Sequence, residues 1–146
     1  MNNINKTGHV LLVEDTLSCQ ELMNIAFEEN KIEHQLHIVG DAESALAFLY
    51  NKAPYESAPR PSLVLLDINL PKTNGYELLK NIKNNLKLKT IPVIILTSSQ
   101  QQQDILKSYR LKANCYLNKP YKLNDFIHLV KVSIDFWLNC SQLPQV

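Results

Sequence analysis

Little in this 146-residue chain points to a secreted, membrane or nucleic-acid-bound protein. Its three cysteines, Cys19, Cys115 and Cys140, are widely spaced, set in apolar contexts and contain no C-x-x-C pair. A disulfide framework or thiolate metal site is therefore not expected, and buried free thiols are. Charge of one sign is also lacking: 15 basic and 14 acidic residues leave a formal charge of +1, with no long block of either sign. Electrostatics gives no case for nucleic acid or an anionic membrane as partner. Apolar runs stop far short of the ~20 residues of a membrane span. The N-terminal Met1-Asn2-Asn3-Ile4-Asn5-Lys6 has no signal-peptide core, so a cytoplasmic protein is expected. There is no G-x-x-x-x-G-K-S/T loop for a nucleotide. His9, His34, His37 and His128 have no spacing that suggests a shared metal.

What the chain does have is order. Its length suits one domain, residues 1–146 with a core of about 8–138 and a short tail at 141–146, large enough to bury roughly two thirds of its unfolded surface. Short apolar runs alternate with helix-period segments, the pattern of βαβ units and a parallel sheet covered on both faces. The fold class is α/β. The runs Val10-Leu11-Leu12-Val13, Leu63-Val64-Leu65-Leu66 and Val93-Ile94-Ile95-Leu96 end in Glu14-Asp15, Asp67 and Thr97. A shorter run, Cys115-Tyr116-Leu117, leads to Asn118-Lys119-Pro120. Open α/β sheets bind ligands outside the carboxyl ends of their strands, so these residues are site candidates.

Between the strands, Cys19, Leu22, Met23, Ala26 and Phe27 share one helical face. Gln35 to Val39 reads as a strand, and Asp41 as the cap of a helix reaching about Tyr50. Residues 51–61, with three prolines, form a surface loop. Asn74 with Glu77 resembles a capping box for a helix to about Asn85, and Ser99 with Gln102 offers a similar start for one to about Leu111. The last helix, from Lys122 or Asn124 to about Cys140, carries Leu123, Phe126, Ile127, Val130, Ile134, Trp137 and Leu138 on a core face. Leu129, Val132, Phe136 and Cys140 form a second apolar stripe, which a surface helix should not need. Such a helix wants a further partner, and a homodimer through Leu129, Val132 and Phe136 is expected, together with the helix from Gln101 and the strand at Cys115. No output domain is expected after this helix.

Singly, Asp15 reads as a helix cap, Asp67 as a turn initiator and Lys119 as a surface charge. Together, Glu14, Asp15 and Asp67 would repel one another unless a hard divalent cation, most simply Mg²⁺ (or Mn²⁺), sat among them. Lys119 would add an ammonium and Thr97 a hydroxyl. A carboxylate nucleophile with these neighbours is equipped to accept a phosphoryl group.

On these residues the chain resembles the response-regulator receiver domains of two-component signalling, over about Gly8 to Leu138. The resemblance implies a doubly wound, flavodoxin-like, five-stranded parallel sheet of order 2-1-3-4-5 with helices on both faces. It implies Asp67 as phosphoacceptor and Glu14, Asp15, Asp67 and the Asn69 backbone carbonyl as the metal site. It further implies that Thr97 and Lys119 bond the phosphoryl group and that Tyr116 turns inward when Thr97 moves. Pro71 and Gly75 match the loop after the acceptor, and Lys119-Pro120 matches a site where the family often has a cis peptide. Lys122 departs from the family by standing where a better cap is usual, and the 51–61 loop lengthens the stretch between Asp15 and Asp67. That loop and the long last helix are similar to single-domain regulators of cyanobacterial and bacterial phytochromes. This implies a phytochrome-type histidine kinase and an unidentified downstream protein as partners.

The resulting expectation is a phosphorylation-controlled interaction switch rather than an enzyme, with at most slow self-phosphorylation and self-phosphatase activity, Asn69 and Ser99 flanking the approach of water. The alternative is a constitutive dimeric adaptor whose contacts ignore phosphorylation. An aspartyl phosphohydrolase is disfavoured because Asn69, two residues after the nucleophile, cannot act as acid and base.

Overall fold

A computed structural model of the chain describes residues 7–70 and 74–145; Pro71 and Met1–Lys6, named above, lie outside the described residues. Five strands, β1 (His9–Val13), β2 (Gln35–Val39), β3 (Leu63–Leu66), β4 (Val93–Thr97) and β5 (Cys115–Asn118), alternate with α1 (Leu17–Glu29), α2 (Ala42–Leu49), α3 (Gly75–Lys83), α4 (Gln102–Arg110) and α5 (Leu123–Ile134). All pairings are parallel and the strand order is β2-β1-β3-β4-β5, as the resemblance implies. No helix among the described residues is long and apolar enough to cross a membrane.

Strand side chains alternate between faces, which is why each central strand is apolar throughout. Leu11, Val13, Val64, Leu66, Val93 and Ile95 pack with α2 and α3 in one layer. Val10, Leu12, Leu63, Leu65, Ile94 and Leu96 pack with α1 and α5 in the other. The parallel register sets Val13 beside Leu66 and Thr97 beside Asn118, so the residues that follow emerge together at one sheet edge.

Helix starts follow the caps. Asp41 Oδ1 accepts from Ser44 N at 2.7 Å, and Asn74 Oδ1 accepts from Glu77 N at 3.3 Å. Gly75 is required by close approach: a Cβ there would lie 2.6 Å from Ile68 Cα and 2.7 Å from Asp67 O. Helix α3 ends at Lys83, two residues early, and α4 starts behind Gln101, which makes no side-chain cap. Ser99 does not cap it because its hydroxyl donates to Asp104 instead. Lys122 likewise makes no side-chain cap on α5.

The last helix runs to Cys140 as expected, with a change of winding, and corrects two expectations about its faces. Beyond Ile134 the winding changes to π over Asp135–Cys140, where Ser141 N donates to Phe136 O five residues back and Ser141 Oγ to Trp137 O. Leu123, at the first helical position, is exposed rather than core. Leu129 is half-buried against the α1–α5 layer, so the outward stripe is Val132, Phe136 and Cys140. The cysteines are free as expected, but Cys140 is exposed and Cys19 and Cys115 only half-buried.

Two histidines make a contact that the sequence reading did not address. The β1–β2 pairing brings His9 Nδ1 and His37 Nε2 to 3.1 Å, a hydrogen-bonded pair that sequence spacing did not reveal. The His37 ring packs at a tilt against Phe48, and Phe48 likewise against Tyr55 of the proline-containing loop. Asn51 pins that loop by donating to Ala58 O at 2.7 Å. Among the described residues the cis peptide bond is Ala53–Pro54; Lys119–Pro120 is trans, an X–Pro bond being able to take either form.

Burial, and then the neighbouring His9, lower the His37 pKa below its ordinary 6.5. Below pH 6.5 the unfolded chain therefore takes up a proton that the folded chain resists, and stability falls as pH drops toward the folded-state value. Urea midpoints measured between pH 7.5 and about 5.5 should fall less in His37→Gln than in the parent; an equal fall would remove His37 from the account.

Candidate phosphoacceptor site

The ladder continues one residue past the strands: Glu14 N donates to Val39 O and Asp67 N to Val13 O. Lys119 N donates to Thr97 O at 2.9 Å across β4 and β5. These bonds fix Glu14, Asp67, Thr97 and Lys119 around one pocket. Glu14, Asp67 and Thr97 are buried, whereas Asp15 is exposed at the rim.

Lys119 Nζ sits between the two buried carboxylates, 2.6 Å from Glu14 Oε1 and 3.0 Å from Asp67 Oδ2. Glu14 Oε2 accepts from Thr16 N at 3.1 Å, and Asp67 Oδ1 from Asn69 N at 2.9 Å. Burial works against the Lys119 charge, but the hydrogen bond to Glu14 and the charge of Asp67 outweigh it and hold the ammonium above its ordinary range. Burial pushes the Glu14 carboxyl up, against the pull of Lys119 and the Thr16 N–H. Cys19 Sγ lies 3.7 Å from Lys119 Nζ, a contact no spacing rule would find.

Among the described residues, one ligand atom each from Glu14, Asp15 and Asp67 lie within 4.8 Å of one another. Three oxygen donors, one open to solvent, fit a hard divalent cation, with Lys119 balancing part of the charge.

Thr97 Oγ1 accepts from Ser99 N at 3.3 Å and lies 3.5 Å from Asn69 Nδ2. Tyr116 is turned inward, its hydroxyl donating to Ser99 O at 2.9 Å. Ser99 Oγ donates to Asp104 Oδ2 at 2.5 Å, and the other Asp104 oxygen accepts from the Tyr76 hydroxyl. Sequence reading missed Tyr76 and Asp104. They meet across 28 positions of the chain, and neither lies at a strand end.

Residues 10–131 match the model of the response regulator receiver domain, and the chain belongs to that family. It is 44% identical over 135 residues to the response regulator Rcp1 of Synechocystis sp. (strain ATCC 27184 / PCC 6803 / Kazusa), covering 92% of each chain. The crystal structure of the phosphorylated cyanobacterial phytochrome response regulator RcpA superposes with a TM-score of 0.90 at 38% identity, covering 95% of this chain and 99% of that one. The Mn²⁺-bound form of Rcp1 gives 0.87 at 43% identity, covering 94% and 99%. The chain is thus a response regulator whose relatives include cyanobacterial phytochrome regulators.

Lys119→Met should leave Glu14 and Asp67 buried without a counter-charge. The expected loss is about 3 kcal/mol of stability at neutral pH, by urea denaturation in EDTA. Adding Glu14→Gln should recover part of it. Equal stability of Lys119→Met and the parent would mean that the ammonium is not needed to hold the pair.

Proposed function

We propose that Asp67 accepts a phosphoryl group from a histidine kinase, and that the modification switches the contacts of the α4–β5–α5 face. The observation that carries this is the Lys119 ammonium held against Asp67 at a pocket whose rim carboxylate, Asp15, completes an acidic trio. A carboxylate oxygen of Asp67 forms the new P–O bond as the P–N bond of phosphohistidine breaks. The electron pair passes to the imidazole nitrogen, which gains a proton from solvent. Asp15, Asp67 and the Asn69 carbonyl, with Glu14 behind them, would hold Mg²⁺ or Mn²⁺, which when bound neutralises phosphoryl charge. Lys119 pairs with a phosphoryl oxygen and the Thr97 hydroxyl donates to another. Asn69 and Ser99 flank the approach of hydrolytic water, and any self-phosphatase activity is at most slow.

Similarity to RcpA and Rcp1 supports a phytochrome-type kinase as donor, in the cytoplasm. The exposed Leu17 and Tyr121, beside Asp15 and Lys119 in the chain, offer that donor an apolar rim. On the output side, Val132 and Phe136 are about half exposed, as are Leu106 and Tyr109 of α4. We assign this surface to a homodimer, with Leu129 contributing only an edge.

Intact mass after incubation with acetyl phosphate tests the acceptor. A single phosphoryl gain is expected that requires Mg²⁺ and is absent from Asp67→Asn, whereas a gain retained by the variant would place the acceptor elsewhere. For the surface, Phe136→Asp should shift a dimer to monomer in light scattering at micromolar concentration while labelling proceeds at the parental rate. Loss of both would instead make Phe136 part of the core.

A further inference from the structure

Ser99 is held from five directions. Its N–H donates to Thr97 Oγ1 and its hydroxyl to Asp104 Oδ2, while that same hydroxyl accepts from Gln101 N at 3.3 Å. Its carbonyl accepts from Tyr116 OH at 2.9 Å and from Asn118 Nδ2 at 2.5 Å. Asp104 is in turn fixed by Tyr76 of α3, whose ring lies 4.2 Å beneath Lys107 Nζ. The Tyr76 ring packs on the α2–α3 core layer, so the far end of the chain of contacts is anchored.

The inward Tyr116 and this clamp coexist in one conformer. An inward tyrosine needs a fixed acceptor, because a phenol half-buried without one forfeits hydrogen bonding to water. The Ser99 carbonyl is that acceptor, and the Asp104 carboxylate, braced by Tyr76, limits where Ser99 can lie. Ser99 and then Tyr76 hold the Asp104 carboxyl below its usual range, so it stays ionised and can serve as a double acceptor.

We propose that Tyr76 and Asp104 are positioning residues that fix the Ser99 carbonyl for the inward Tyr116, and so favour the conformer in which Thr97 engages a phosphoryl group on Asp67. The proposal rests on the receiver reading above and names the regulation of that same site. Contacts present only in one of two conformers shift the equilibrium toward it, and a ligand that selects that conformer binds more weakly when they are lost.

The test is the affinity of the Mg²⁺-loaded protein for beryllofluoride, a phosphoryl analogue, followed by NMR. Tyr76→Phe keeps the ring and loses the donated hydrogen bond, and should weaken the apparent Kd about fivefold. Asp104→Asn should weaken it at least as much. In a Tyr116→Phe background, where the Ser99 carbonyl has lost its phenolic donor, Tyr76→Phe should have less than a twofold effect. A purely structural role would instead lower the thermal midpoint and leave the affinity unchanged. Unchanged or tighter binding by Tyr76→Phe, or a full effect that persists beside Tyr116→Phe, would overturn the clamp. Failure of the parent protein itself to bind, matching an Asp67→Asn control, would overturn the receiver reading and the clamp with it.

Discussion

Everything about the site follows from the parallel pairing of β1, β3, β4 and β5. A parallel sheet covered on both faces has no room for polar side chains along its strands, so polar residues collect where the strands stop. Because all strands run the same way, they stop at one edge. The register that sets Val13 against Leu66 also sets Glu14 against Asp67, and the pairing of Thr97 with Asn118 hands Lys119 to the same pocket. The chemistry is thus placed by backbone hydrogen bonds between apolar residues that take no part in it.

Within that pocket, charge balance does the rest. Two buried carboxylates would be untenable alone, and the Lys119 ammonium between them offsets the cost. The third carboxylate, Asp15, stays exposed at the solvent rim. A buried pair held by an ammonium behind a solvent-facing acid leaves one carboxylate of the trio open to solvent.

The strands and the acidic pocket were legible because each signal is local, whereas the strand order came from the family resemblance alone. An apolar run of four residues, followed at once by a carboxylate, hydroxyl or ammonium, needs no knowledge of distant contacts. Asp41 and Asn74 were legible as caps for the same reason. What escaped depends on tertiary geometry. Ser99 looked like a cap, yet its hydroxyl is engaged by Asp104, and the Tyr76–Asp104 bond joins two helices with no shared pattern. The His9–His37 pair arises from a strand register that spacing along one segment cannot express. Leu129 was misplaced because the boundary of a helical stripe shifts with the width of the neighbour it packs against, and Leu123 because the first helical residue projects past that neighbour.

Helix α4 fully buries a single residue, Ser108, whereas α5 buries Phe126, Val130 and Ile134. Peeling α5 from the sheet would expose side chains worth about 1.5–3 kcal/mol each, while shifting α4 mainly exchanges polar bonds of about 1 kcal/mol. Helix α4 is therefore held mainly by polar bonds and α5 mainly by buried apolar side chains. Exchanging a few hydrogen bonds is comparable in energy to what fastens α4 and small beside the burial that fastens α5. The more weakly buried of these two helices is also the one that carries the exposed Leu106 and Tyr109.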